Sequence, residues 1–254
     1  MKPRTRTEGR SGDVAAWEAG GPRSLGHRVR ARATIVASAD GPGNRTRFDT
    51  LRSEPPITLR PTPDALYIVG SGAGPLGGDE LRFDITVGAH ACVDLASIAA
   101  QIVLPGPTGE RSHQITNVVV GPGATLRYRP EPVIAVEGCD HVATTVIALA
   151  SDATLVWEES IVLGRHGEGP GSILQRLRID RGGSALHRND LAFGPRYGGW
   201  NSGVVLGGHR CLTTELLVGP GAGVDAALAE RTKQTMSLGS GAGREDAAMV
   251  LTLS

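Results

Sequence analysis

Val118-Val119-Val120-Gly121-Pro122-Gly123-Ala124-Thr125-Leu126 is an apolar strand ending, a tight turn, then Ala, a variable residue and another aliphatic. Three other stretches repeat the phrase: Ile85-Thr86-Val87-Gly88-Ala89-His90-Ala91, Ile147-Ala148-Leu149-Ala150-Ser151-Asp152-Ala153-Thr154-Leu155 and Leu216-Leu217-Val218-Gly219-Pro220-Gly221-Ala222. Leu177-Arg178-Ile179-Asp180-Arg181-Gly182-Gly183-Ser184-Ala185-Leu186 is a looser copy. The residues before the turn sit at 87, 120, 149, 179 and 218, at intervals of 33, 29, 30 and 39, one supersecondary unit apiece. Glycine supplies the positive φ of a tight turn, proline presets φ, and β-branched neighbours suit a pleated, half-buried surface. One such unit buries too little to stand alone, whereas stacked units share an elongated core. The pattern predicts an all-β fold, a layered β-helix-like or sandwich-like body of many short strands with loops inserted between rungs.

Composition narrows the function. Lys plus Arg equal Asp plus Glu at 26 each, so the net charge is zero and the electrostatic term behind nucleic-acid affinity is missing. Zero net charge also gives little protection against self-association, which suits a protein bound to partners and is compatible with a homo-oligomer. Three cysteines, Cys92, Cys139 and Cys211, give neither a disulfide framework nor a short metal-type spacing. No apolar run approaches the ~20 residues that span a bilayer, and residues 1–30 lack a secretory apolar core, so a soluble, cytoplasmic protein is expected.

Residues 1–27, glycine-rich with mixed charge, read as a flexible arm; 28–236 as a single β-rich scaffold domain; and 237–254 as a turn-rich tail with a strand at 248–253. Alternation begins at Val29-Arg30-Ala31-Arg32-Ala33-Thr34-Ile35-Val36, arginines to water and small apolars to the core. Further strands are expected at 56–60, 65–70, 81–87, 91–95, 101–104, 113–120, 124–128, 143–149, 153–163, 172–180, 184–193 and 202–206. One or two short helices are expected, at 94–101 and 224–236.

No catalytic motif emerges: neither a Gly-x-Ser-x-Gly elbow, nor a Walker loop, nor a Cys-x-x-Cys pair. Gly70-Ser71-Gly72-Ala73-Gly74 resembles a phosphate-binding turn, but Pro75-Leu76-Gly77-Gly78 follows where a helix is required, so a structural turn is the better reading. Cys139-Asp140-His141 offers thiolate, carboxylate and imidazole within three residues, and His209-x-Cys211 puts two ligand types on one strand face. A polar turn and a buried cysteine beside an exposed histidine are the plainer accounts. Asp79, ending the segment Gly74-Pro75-Leu76-Gly77-Gly78-Asp79, either caps turn N–H groups or faces an internal cavity. Strand alternation places Glu159 on the face shared with Arg165, a solvated ion-pair face, with Glu158 opposite.

Several motifs in order resemble the urease accessory protein D family, also called urease accessory protein H. They are Gly74-Pro75-Leu76-Gly77-Gly78-Asp79-Glu80-Leu81 followed by Val87-Gly88-Ala89, then Gly123-Ala124-Thr125-Leu126, then Arg129-Pro130-Glu131-Pro132-Val133-Ile134. The series closes with Ala153-Thr154-Leu155-Val156-Trp157-Glu158-Glu159 and Leu163-Gly164-Arg165. The resemblance implies a non-catalytic scaffold that joins urease accessory proteins F and G on the urease apoprotein. It further implies an internal water-filled passage for nickel, held transiently with no tightly bound cofactor. Asp79 matches the acid of the family's Gly-Gly-Asp motif, and Glu159 that of its Trp-Glu element. Where the family commonly has Gln-Ala-Ala-x-Lys-x-Tyr, this chain has Ser97-Ile98-Ala99-Ala100-Gln101-Ile102. The alternatives are a carbohydrate-active β-helix enzyme, which needs two carboxylates roughly 5 to 10 Å apart and stacking aromatics, and a binding module without a metal role. Aromatics are 4% of the chain, which weakens the first of these.

Overall fold

The computed structural model describes residues 28–41 and 46–220, together with the backbone of 247–253. The expectations for 1–27, for a helix at 224–236 and for most of the 237–254 tail lie outside the described residues. Among the described residues sixteen strands run in order: β1 (Arg30–Ala39), β2 (Thr46–Ser53), β3 (Ile57–Pro61), β4 (Leu66–Gly70), β5 (Glu80–Val87), β6 (Cys92–Ser97), β7 (Gln101–Val103) and β8 (Ser112–Val120). Then come β9 (Thr125–Arg129), β10 (Val133–Ala135), β11 (Asp140–Leu149), β12 (Thr154–Leu163), β13 (Ser172–Arg181), β14 (Ser184–Phe193), β15 (Cys211–Val218) and β16 (Ala247–Leu253). Among the described residues no helix is long and apolar enough to cross a membrane.

The strands form two sheets. The first has the order β14-β13-β11-β8-β5-β1-β2; the second runs β16-β15-β12-β9-β6-β4-β3, with β10 joining β7 to β12. The middle of each is parallel: β1, β5, β8, β11 and β13 in the first, and β4, β6, β9 and β12 in the second. Through the middle of the chain the path passes from the first sheet to the second and back, giving the rungs β5 then β6, β8 then β9, β11 then β12, a β-solenoid stack flanked by antiparallel edges.

The repeated phrase is the corner of this stack. Val87 pairs with Val120, and Val120 with Leu149, so the first three copies stack in register. Each corner closes by a turn bond, Ala91 N to Gly88 O, Ala124 N to Gly121 O and Ala153 N to Ala150 O. The alanine after each turn is at most 1% exposed, because a larger side chain has no room between sheets at the corner. Positive φ is confined to the third turn position, 60° at His90 and 61° at Gly123. The first glycine serves close approach instead: a Cβ on Gly121 would stand 2.9 Å from Ala89 N.

Four expectations are corrected. The fourth copy is displaced by two residues, since Leu149 pairs with Arg181 and Ile147 with Ile179. The fifth closes β15, in the other sheet and antiparallel to β12, so it repeats turn chemistry without being a rung. Residues 94–101 form no helix: Val93 and Leu95 point inward and pair with Leu126 and Tyr128 of β9, a two-residue period that ladder bonding favours over the short apolar run. Residues 202–206 are turns, where Gly203 and Gly207 interrupt any ladder; Val204 is exposed there, and the next strand starts at Cys211.

Apolar inward positions build two cores. The larger, around Ile35, Ile85, Val120, Leu126, Leu155 and Trp157, fills one end of the stack. The smaller, around Val103, Ile161, Leu163, Ile173, Phe193 and Leu212, fills the other.

Candidate functional site

Between the two cores the inward pattern turns polar at one level. β12 runs Leu155, Trp157, then Glu159, then Ile161 and Leu163; β13 runs Ile173, then Gln175, then Leu177 and Ile179; β15 runs Leu212, then Thr214, then Leu216. Pairing aligns these interruptions. Glu159 sits opposite Thr214, and Gln114, Ala143 and Gln175 form a row across the first sheet. Gln175 and Thr214 are buried, as are Ser112, Thr116, His141 and Thr145.

A cavity of about 320 Å³ occupies this level, its lining running from exposed Ala99, Glu131 and Arg165 to buried His141, Gln175 and Tyr128. Its position follows from a split in the second sheet. The β12 backbone pairs with β9 through Thr154–Trp157 and with β10 through 161–163, and the two ladders do not meet. Opposite lies Pro130-Glu131-Pro132, where two residues without N–H groups cannot continue a ladder. β6 and β7 part at the same level, around Ala99 and Ala100, which also line the cavity.

Glu159 stands in this gap. Its Oε1 lies 3.5 Å from Thr145 Oγ1, and its Oε2 accepts a short hydrogen bond from Gln175 Nε2, bridging the two sheets. Desolvation pushes its carboxyl up to about 7, against donors from Trp157, Thr145 and Gln175 that favour the charged form. The Trp157 indole N–H faces the carboxylate without meeting hydrogen-bond geometry to any partner. Glu159 is only half-buried by exposure, because its remaining surface faces the cavity. Below it, Tyr128 stacks on Trp157 with centroids 4.1 Å apart, and burial raises the phenol pKa.

Asp79 is elsewhere. It is 5% exposed; Oδ1 accepts from Val29 N at 2.8 Å and Oδ2 from Leu76 N at 2.9 Å. Asp79 is therefore the turn cap, and the residues leading into its turn, Gly72, Ala73 and Gly74, border the cavity. Cys139-Asp140-His141 does not converge. Cys139, just before β11, and His141 on it are both buried, while Asp140 points out to Arg111 at 3.0 Å and Arg196 at 2.8 Å. Burial pushes the Cys139 thiol up to about 11 and His141 down to about 3, the latter with a smaller contribution from His113. His209 and Cys211 also stay apart, His209 in an exposed turn and Cys211 facing away from the core. Among the described residues no group of three or more His, Cys, Asp or Glu could hold a metal ion.

Arg165 pairs with Glu168 rather than with Glu159, because β12 ends at Leu163 and alternation does not carry through Gly164. The sequence reading missed Gln114, Thr145, Gln175 and Thr214. Their signal was present, as polar residues at inward positions of otherwise apolar strands.

Such a molecule is a two-sheet β-solenoid whose cavity, largely apolar in its lining with a band of polar groups, reaches into a split sheet. The chain matches the model of the UreD urease accessory protein family over residues 29–252. It is 35% identical to a urease accessory protein UreD of Frankia alni, over 87% of this chain and 88% of that one. A UreD of Streptomyces avermitilis is 40% identical over 76% and 78%, and a UreD 3 of Streptomyces griseus 40% over 80% and 82%. The chain belongs to the UreD urease accessory protein family, which gives it an accessory role in urease maturation.

Proposed function

We propose that this chain is a non-catalytic, cytoplasmic maturation scaffold that joins urease accessory proteins F and G on the urease apoprotein, and that nickel crosses its interior through the cavity between the cores. The observation that carries this is the cavity itself, with the Glu159 carboxylate at its depth and amide and hydroxyl oxygens around it. Scattered oxygen donors bind a divalent ion weakly, as transit requires, whereas a closed four-ligand site would retain it. Glu159 is the transient carboxylate contact. Asp79 contributes by position, holding the turn that follows Gly72, Ala73 and Gly74 at the cavity edge.

Co-expression of the tagged chain with urease subunits and accessory proteins F and G tests the scaffold. All should co-purify, and leaving the chain out should give apo-urease. Nickel-replete urease made without the chain would refute the proposal.

A further inference from the structure

One buried polar atom in the cavity has no partner. His141 is 1% exposed and lines the cavity, yet its Nε2 meets no hydrogen-bond partner. Its Nδ1 lies 2.9 Å from Ser112 Oγ, itself 0% exposed. An imidazole held through Nδ1 by a fixed hydroxyl presents Nε2 as a preoriented ligand, the arrangement in which an outer partner fixes tautomer and ring plane for a metal. An orphaned buried nitrogen costs free energy that an arriving ligand recovers.

We propose that His141 Nε2 is the nitrogen ligand by which the cavity prefers nickel and other borderline divalent ions to magnesium, with Ser112 as the positioning residue that holds the ring. This rests on the reading of the cavity as a nickel passage, and deepens it from a conduit to a selective one. Carboxylate and amide oxygens suit magnesium and nickel alike, whereas imidazole suits nickel, copper and zinc and is a poor magnesium ligand. In the cavity, Glu159, Gln175, Gln114 and Gln101 supply the oxygens. Burial keeps the imidazole neutral at any physiological pH, so no proton competes for the lone pair. Cys139 does not share this role, because its Sγ sits in the smaller core against Ser172 O.

Equilibrium dialysis of the full chain with nickel against excess magnesium tests this. His141→Leu should lower nickel retention about tenfold or more while leaving magnesium retention unchanged, and Ser112→Ala should give a smaller loss in the same direction. His209→Leu, at an exposed histidine, should change nothing. On wild-type protein loaded under the same competition, nickel-edge X-ray absorption should show imidazole scattering; its absence overturns the proposal even if His141→Leu fails to fold. Glu159→Gln separates the two levels of the argument. If it lowers retention while a folded His141→Leu does not, the passage stands and the nitrogen ligand falls. If neither changes retention, the passage reading falls and the inference with it.

Discussion

Replacing Glu159 by Gln should change how stability depends on pH. In the folded chain burial holds this carboxyl near 7, against 4.5 in a free side chain. The sign follows from proton counting. Between these values the native state keeps a proton that the unfolded state releases, so stability is unaffected below pH 4.5 and falls as pH rises toward 7. The difference corresponds to roughly 3 kcal/mol at pH 7 for a fully desolvated group, and solvent screening of the half-buried carboxyl trims it to about 1 to 3 kcal/mol. His141 acts oppositely. With its pKa lowered from 6.5 to about 3, its contribution is complete above 6.5 and is lost as pH falls, because the unfolded state takes up the proton. Across pH 4.5 to 6.5 the two slopes partly cancel in wild type, so the measurement is a difference between variants. Gln preserves shape and still accepts from Gln175. Urea denaturation of wild type and Glu159→Gln at a series of pH values should show equal stability near pH 4.5 and a growing advantage for the variant up to pH 7. A difference that does not vary with pH would refute the reasoning.

Other substitutions probe the frame around the site. Trp157 is 0% exposed and supports Tyr128, so Trp157→Ala should cost about 3 to 5 kcal/mol in denaturant unfolding. Gly121→Ala forces a Cβ to 2.9 Å from Ala89 N and should lower the melting temperature, whereas Ala150→Gly, at the corresponding corner that already accepts a methyl, should change it little. Asp79→Ala leaves two backbone N–H groups without their acceptor and should cost on the order of 1 to 3 kcal/mol. Asp79→Asn keeps one acceptor oxygen and should cost less, and equal melting curves for all three proteins would contradict the cap.

Much of the fold was legible because the solenoid repeats a local sentence. Strand, turn, alanine and aliphatic each depend on near neighbours, so Val87, Val120 and Leu149 could be aligned before any pairing was known. The fifth copy misled because the same turn chemistry serves an antiparallel edge, and direction is set by the long connection before β15 rather than by the turn. The 94–101 segment misled because small apolar residues suit a helix until a neighbouring strand offers a ladder. At the site, local sequence singled out Asp79 and Glu159 and resemblance reinforced both; the turn offered the cap that Asp79 makes with Leu76, but the distant groups that meet each carboxylate were not readable from sequence. Whether a carboxylate faces water, a turn or a cavity depends on the opposite sheet. Glu159 meets Gln175 of β13 across the interior, and Asp79 meets Val29, fifty residues away in sequence. The cavity arises from Pro130 and Pro132 facing the break between the β9 and β10 ladders on β12, a coincidence of three rungs that no single segment displays.

The central claim is that nickel crosses the interior, and filling the cavity tests it most directly. Ala143 lies between Gln114 and Gln175 in the polar row and lines the cavity. Ala143→Leu adds apolar bulk there without removing any polar group. Nickel content of urease matured with this variant, measured alongside co-purification of the accessory complex, should fall well below wild type while the complex stays assembled. A fully assembled complex that delivers the wild-type nickel content would contradict the account.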